Sequence, residues 1–421
     1  MNMDLVLEGR FFIDGEIKDT AVGKEDGKIA TIGKLVRGGD ERIDLGDRLI
    51  LPGFVDPHVH FREPGMTKKE DFGSGTMSAL HGGVTCVFDM PNTKPPSINV
   101  SSLADKKSSI KHKAQVDYGL FAALTPEAPV ASLAPYVIGY KLFMGSTTGN
   151  ILMNDDDEIA ALMGDIARTG KVMSVHAEDD DMILRDTEYD NWDHLKNRPL
   201  EAEHNAVRRL SKYKGMKINI CHVTDAGTAE MAAACGFTTE VTMHHMLFAA
   251  EDVHGTEYKV NPPICNRDVR DNLVRAVTAG KLTMFGTDHA PHTQTDKMQD
   301  YDSAPGGIIG VETSMPMMMV NMLRGRFPLD LLVRMGCENP ARTFGIKKGK
   351  IAVGYDADFA VFDPHNIVPI DTDDLHSKAG HTPYDGMDAM FPDMVLVRGN
   401  IQIQDGEYCG EPLGVDVVDH P

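Results

Sequence analysis

Cysteine is scarce and scattered in this 421-residue chain: Cys86, Cys221, Cys235, Cys265, Cys337 and Cys409 form no CxxC pair. That excludes a disulfide framework and a thiolate zinc site, and makes a reduced, cytoplasmic setting the expectation. Positive charge is in deficit. Lys and Arg total 42 against 63 Asp and Glu, a net charge of −21, which argues against nucleic acid or an anionic membrane as the main partner. A small anionic substrate stays compatible, because a local cationic pocket can override the average field. No apolar run approaches the roughly 20 residues of a membrane helix. The opening stretch MNMDLVLEGRFFIDGEIKDT is broken by charges and lacks a signal-peptide core. No internal repeat or low-complexity segment stands out. What is present suits a soluble globular protein: 42% hydrophobic and 25% charged residues. At roughly 150 residues per domain, the length fits two or three domains or one large barrel with an appendage. The 25 methionines suit core gap-filling, and the 17 histidines are enough to build a metal site.

Residues 1–50 read as short strands, Leu5–Leu7, Phe11–Ile13 and Ile29–Ile32, separated by turns such as Glu25-Asp26-Gly27. After Pro52 short β-branched runs, among them 171–177, 217–223 and 282–288, alternate with helical stretches. In 155–169, Ile159, Leu162, Met163 and Ile166 recur on one apolar face. Asp155–Glu158 suit the positive end of the helix dipole, and Gly170 stops the helix. Such alternation predicts a parallel sheet, and the central region has room for the ~250 residues of a (β/α)8 barrel. Short strands return after residue 347, with apolar runs in 347–364 and a hairpin in 394–408. The expected fold is α/β: a TIM-like (β/α)8 barrel over 51–346, with a small composite β-sandwich domain built from 1–50 and 347–421.

The densest chemistry lies in LPGFVDPHVHFREPG, 51–65. On a strand, residues two apart face the same way, so His58 and His60 can grip one divalent metal. A bare HxH is more often a pair of half-buried histidines. Asp56, two residues earlier in the same phase, shifts the balance toward metal. Lys141 in GYKLFMGS, His176 in VMSVHAED, His222 in INICHVTD and Asp288 in FGTDHAPH each sit in a run of strand character. Singly they read as a surface lysine, hydrogen-bonded core histidines and a helix cap. Spacing alters that reading. A βα unit takes roughly 31 residues, so the candidates fall at strands one, four, five, six and eight, whose ends converge on one barrel mouth.

Asp-Pro-His-Val-His-Phe-Arg-Glu-Pro-Gly (56–65), Met-Pro-Asn-Thr (90–93), Lys-Leu-Phe-Met-Gly-Ser (141–146), Asp-His-Ala-Pro-His-Thr (288–293) and the Asp-Ala-Asp turn of 356–358 together resemble the dihydroorotase family. That family lies within the cyclic amidohydrolases of the amidohydrolase superfamily. HxH marks the superfamily; Arg-Glu-Pro-Gly with Met-Pro-Asn-Thr is more specific. The resemblance implies a zinc-dependent cyclic amide hydrolase with two Zn²⁺. His58, His60 and Asp288 would hold one ion, His176 and His222 the other, and Lys141, N6-carboxylated, would bridge them. It implies reversible cyclisation of N-carbamoyl-L-aspartate to L-dihydroorotate with loss of water, in de novo pyrimidine (UMP) biosynthesis. A metal-bound hydroxide would attack in the hydrolytic direction, with Asp288 as general base and then acid. Arg62, two residues after His60, shares the strand phase, and by the resemblance it would bind the substrate carboxylate and ring amide together with Asn92 and His292. Pro305, Gly306 and Gly307 look like the family's substrate-contacting backbone segment.

Many relatives carry an arginine close after Asn261-Pro262-Pro263. Here Ile264-Cys265-Asn266-Arg267 follows, so either Arg267 reaches the substrate from a shifted position or that contact is absent. His244 and His245 are adjacent, would face opposite ways on a strand, and read as structural. The nearest alternative is another cyclic amidohydrolase, a dihydropyrimidinase/hydantoinase or an allantoinase. A non-catalytic scaffold barrel is the alternative of a different class, but such relatives usually lose metal ligands and all six positions are filled. Beside the small-molecule substrate, relatives suggest a homodimer and a complex with aspartate carbamoyltransferase.

Overall fold

The computed structural model describes residues 3–149 and 151–420. Strand β1 (Leu5–Ile13) is continuous where the sequence suggests two strands, with Leu5, Leu7, Phe11 and Ile13 in one core. Gly9 makes this possible. It takes φ 155°, a β-carbon there would lie 2.8 Å from Ile50 Cδ1, and the pairing register slips between Glu8 and Arg10. A bulge of this kind needs a residue without a side chain. β1 pairs antiparallel with β2 (Glu16–Glu25), β2 with β3 (Lys28–Gly33), and β1 lies parallel to β4 (Glu41–Pro52).

Only Gly53 separates β4 from the first barrel strand, β5 (Phe54–Val59). β6 (Val84–Asp89), β7 (Asp117–Ala123), β8 (Gly139–Phe143), β9 (Val172–His176), β10 (Ile218–Ile220), β11 (Thr238–Val241) and β12 (Met284–Phe285) follow in spatial order as in sequence, all parallel. The ring is drawn together beyond β12, where His60 N donates to the His289 carbonyl at 2.8 Å. Nearly every barrel-strand residue is buried, as helix-covered parallel strands require. The helix expected over 155–169 spans Asp156–Thr169. Asp155 caps it, accepting from Asp157 N and Glu158 N, and Gly170 at φ 66° ends it.

The chain then returns to the first sheet. β13 (Phe359–Phe362) pairs with β4; β14 (Val368–Pro369) and β15 (Asp388–Ala389) form a small ribbon; β16 (Met394–Val397), β17 (Asn400–Gln404) and β18 (Glu407–Tyr408) complete the sheet. Its order, β18-β17-β16-β13-β4-β1-β2-β3, interleaves both ends of the chain, and Phe11, Ile50, Phe359 and Leu396 share its core. Of the two apolar runs in 347–364 only the second pairs as a strand; Ala352–Tyr355 is turn. The seam between sheet and barrel is ionic. Lys348 Nζ lies 2.6 Å from Asp117, 2.9 Å from Asp356 and 2.8 Å from Asp358, and Arg398 pairs with Asp117. Among the described residues, no helix is long and apolar enough to cross a membrane.

Candidate active site

The candidate ligands lie where the spacing puts them. His58 sits in β5, with His60 just beyond it; Lys141 is in β8, the fourth barrel strand, and His176 ends β9, the fifth. His222 follows β10 by two residues and Asp288 follows β12 by three. His58 Nε2 and His60 Nε2 approach Asp288 Oδ1 at 3.3 and 2.9 Å. Their outer nitrogens are engaged: His58 Nδ1 with Glu240 Oε2 at 2.9 Å, His60 Nδ1 with Asn92 Oδ1 at 2.7 Å. His176 Nδ1 faces His222 Nε2 at 3.0 Å, while His176 Nε2 bonds Glu178 Oε2 at 2.7 Å. The His58 and His222 rings are 5.5 Å apart, which joins the two groups. Lys141 is fully buried, and its Nζ donates to Cys221 Sγ at 3.0 Å.

This donor set fits metal ions. His58, His60 and Asp288 each offer a ligand atom within 4.8 Å of the others. Two nitrogens on one tetrahedral zinc lie about 3.3 Å apart, close to the His176–His222 separation. Carboxylate or amide oxygens on the outer nitrogens are the usual orienting contacts of metal-ligating histidines. His222 Nδ1 is buried with no partner among the described residues. Burial pushes His60 down to about 3, and burial with the neighbouring His176 holds His222 well below the usual imidazole range. Both are therefore neutral, as ligation requires. Burial and Lys141 press His58 down too, but Asp288, Cys221 and Glu240 outweigh them and carry it to about 10. Burial favours a neutral Asp288, yet His58 and His60 hold its carboxyl well below the ordinary value. Backbone strain gathers here as well: Arg62, His222 and Asp288 have φ of 60°, 35° and 47°, at on the order of 1–3 kcal/mol each.

Arg62 does not follow the strand phase, since β5 ends at Val59 and Arg62 takes a left-handed conformation. It is nonetheless 2% exposed, with Nε donating to the Pro291 carbonyl at 3.1 Å and Nη2 3.2 Å from His292 Nε2. Lys69 Nζ donates to His292 Nδ1 at 2.9 Å, so His292 Nε2 carries the proton and donates to the Gly306 carbonyl at 3.1 Å. Burial, Arg62 and Lys69 keep His292 neutral. Gly307 takes φ 151°, and a side chain there would collide with the Ala290 carbonyl. Pro305 and Gly306 line a cavity of about 420 Å³ with Ser146, Arg198, Lys259 and Asn261. Asn92 orients His60 and donates to the Thr148 carbonyl at 2.9 Å.

Other sequence readings change. Asp56 is buried and accepts from Thr287 N at 3.1 Å and from Thr287 Oγ1, tying β5 to the segment after β12 rather than joining the ligand cluster. Arg267 is on the surface and pairs with Asp252 at 2.6 Å, so the shifted contact is absent. His244 and His245 lie on a helix, Met243–Leu247, not a strand; both are buried, with rings 4.5 Å apart. Glu178, Arg198, Cys221, Glu240 and Lys69 escaped the sequence reading. Glu178 carried a signal, because it stands two residues after His176 as His60 does after His58. Arg198 grips its carboxylate through Nε at 3.1 Å and Nη2 at 2.7 Å.

A parallel barrel that gathers histidines, an aspartate and a buried lysine at the carboxyl ends of its strands defines a metal-dependent hydrolase centre. The Amidohydrolase family pattern matches residues 49–401. The chain is 37% identical to a dihydroorotase of Thermoplasma acidophilum, over 99% of this chain and 98% of the relative. It is 35% identical to a dihydroorotase of Pyrococcus abyssi, over 99% of each. An L-hydantoinase (dihydropyrimidinase) of Arthrobacter aurescens superposes with a TM-score of 0.92 at 27% identity, over 98% of this chain and 99% of that one. The chain belongs to the amidohydrolase family.

Proposed function

We propose that the chain is a dihydroorotase, interconverting N-carbamoyl-L-aspartate and L-dihydroorotate plus water. The observation that carries this choice is the cationic wall of Arg62 and Lys69, which flank neutral His292 near the His58–His60–Asp288 cluster. A ring bearing a carboxylate needs such a wall; a neutral hydantoin or dihydropyrimidine does not. The relatives named dihydroorotase support the same choice.

His58, His60 and Asp288 would hold one Zn²⁺, and His176 and His222 a second. When bound, the ions lower the pKa of water and polarise the ring carbonyl. Lys141 would bridge them as its N6-carboxylate. Its burial supports this, because a buried ammonium whose hydrogen-bond partner is a thiol is costly, and a carbamate removes that charge. In ring opening, Asp288 accepts the proton of the attacking water and delivers it to the leaving amide nitrogen. Glu240 and Glu178 keep His58 and His176 turned inward. Arg62 and His292 orient the substrate carboxylate, and the backbone of Pro305, Gly306 and Gly307 lies along the ring. Asn92 contributes by steadying His60, and its amide is within the mouth for the substrate. The reading includes a division into 1–50, 51–346 and 347–421, a homodimer, docking with an aspartate carbamoyltransferase, and the cytoplasm as setting; six free cysteines support the last.

Zinc-loaded protein assayed on L-dihydroorotate, dihydrouracil, hydantoin and allantoin tests the proposal. Turnover of dihydroorotate alone is expected. Turnover of a neutral ring instead would transfer the chain to the hydantoinase reading, and no turnover with metal verified as bound would favour a scaffold. Sedimentation with and without the carbamoyltransferase tests the assembly.

A further inference from the structure

A second group of metal-binding side chains lies away from the candidate ligands at the barrel mouth. His81 closes the helix Phe72–His81, Glu312 precedes the helix Ser314–Leu323, and His376 follows the turn Thr372–Asp374. One ligand atom from each lies within 4.8 Å of the other two. The rings of His81 and His376 stack with centroids 3.6 Å apart and planes 17° from parallel. Each ring has one nitrogen engaged. His81 Nδ1 donates to the Met77 carbonyl at 3.0 Å, and His376 Nδ1 donates to Glu312 Oε1 at 2.8 Å. The backbone N of His376 donates to Glu312 Oε2 at 3.0 Å, so the carboxylate clasps the residue at two points.

The Met77 bond fixes His81 as its Nδ1–H tautomer with Nε2 as the lone-pair donor, while His376 Nδ1 and Glu312 Oε1, 2.8 Å apart, stand on the side that an ion would share. For His81 this is the arrangement of a metal-ligating histidine whose outer N–H is fixed by a backbone carbonyl. Burial, with the neighbouring His376, pushes His81 down to about 4. The pair also borders a surface cavity of about 410 Å³ whose walls include Asp374 and Glu407. Two imidazoles and a carboxylate, with further negative charge around them, form a set that suits a borderline divalent transition ion better than Mg²⁺ or Ca²⁺.

We propose that His81, Glu312 and His376 form a second, non-catalytic site for one divalent transition-metal ion such as Zn²⁺. The ion would clip the segment after β14 to the end of the helix that follows the first barrel strand. The inference is independent of which ring the enzyme opens.

The test uses protein that already carries its catalytic metal. Titration with Zn²⁺ by calorimetry should show one further equivalent per chain. His81→Asn and His376→Asn should each weaken that equivalent at least tenfold, with ring-opening activity before zinc addition unchanged, which also reports folding. Glu312 stays intact in both, because it also braces the loop. In parallel, Cu²⁺ added to the same protein should give an EPR spectrum with coupling to two nitrogens, reduced to one in either variant. No further equivalent in the parent protein, or the same equivalent in both variants, would overturn the proposal, as would a copper signal unaltered by the substitutions.

Discussion

Two buried charge clusters stand at opposite ends of the barrel, and they are completed differently. At the seam, Lys348 reaches three aspartates within 2.6–2.9 Å, Arg398 pairs with Asp117, and the Arg398 backbone N donates to Asp358 at 2.7 Å. Burial, overcome by Asp358 and Asp117, leaves the Lys348 pKa well above the ordinary value. At the mouth, the Lys141 ammonium meets a thiol and the Phe143 ring rather than a carboxylate, while His222 Nδ1 and His244 Nε2 are buried with no partner among the described residues. Positive φ does not separate the two: Arg62, His222 and Asp288 have it at the mouth, and Arg398, at 45°, has it at the seam. Buried charges that meet opposite charge from within serve the fold, and groups left without such a partner are arranged for something that arrives later.

The sharpest way to break this comparison is to change one residue at each end. Asp288→Asn should cut dihydroorotate turnover by about 10³-fold, the scale of a lost general base, while thermal unfolding stays near that of the parent. Lys348→Met should do the reverse. It strips Asp358 of its ammonium partner, while Asp117 and Asp356 keep Arg398 and Lys28, and should cost about 3–5 kcal/mol of stability, read by denaturant unfolding, with the bound catalytic metal per folded chain unchanged. If Lys348→Met removed metal and left stability alone, the division of labour would be wrong. Glu240→Gln should weaken metal binding at the His58 position about 10–100-fold, measured by competition with a chelator, with little change in fold.

The smallest effect concerns a group belonging to neither cluster. Burial, partly offset by the Thr224 hydroxyl and N–H, pushes Glu203 up to about 8. A carboxyl that keeps its proton in the folded state but loses it near its ordinary value when unfolded costs stability as pH rises from about 4.5 to about 8. Below that window the cost vanishes, and above it the cost is constant. Glu203→Gln should therefore gain on the parent protein across that window, the gain growing as pH rises; unfolding curves at pH 5 and pH 8 check it.

Much of this was legible in the chain itself. The HxH pair and the roughly 31-residue rhythm located His58, Lys141 and His176 on barrel strands and His222 and Asp288 just past the ends of theirs, because a parallel barrel turns linear spacing into convergence. Arg62 came to the right neighbourhood for the wrong reason. Strand phase was invoked, but the strand had already ended, and a left-handed turn aims the side chain. The helix under His244 and His245 is five residues long, too short for periodicity to reveal. Glu240 lies in a four-residue strand among threonines, and its role depends on a histidine two barrel neighbours away in space but far off in sequence. Likewise His81 and His376 meet only because the chain returns to its starting sheet. Contacts made by topology rather than by local pattern were those the sequence concealed.

One feature of the fold bears on anyone wishing to trim this protein. Residues 41 to 59 form a nearly unbroken extended rod, β4 then Gly53 then β5, anchored at one end between β1 and β13 and ending at the candidate metal ligand His58. The terminal sheet is thus less an ornament than the handle by which the first stave of the barrel is held in place. Cutting it away to make a smaller catalyst would loosen the very strand on which the HxH pair is mounted.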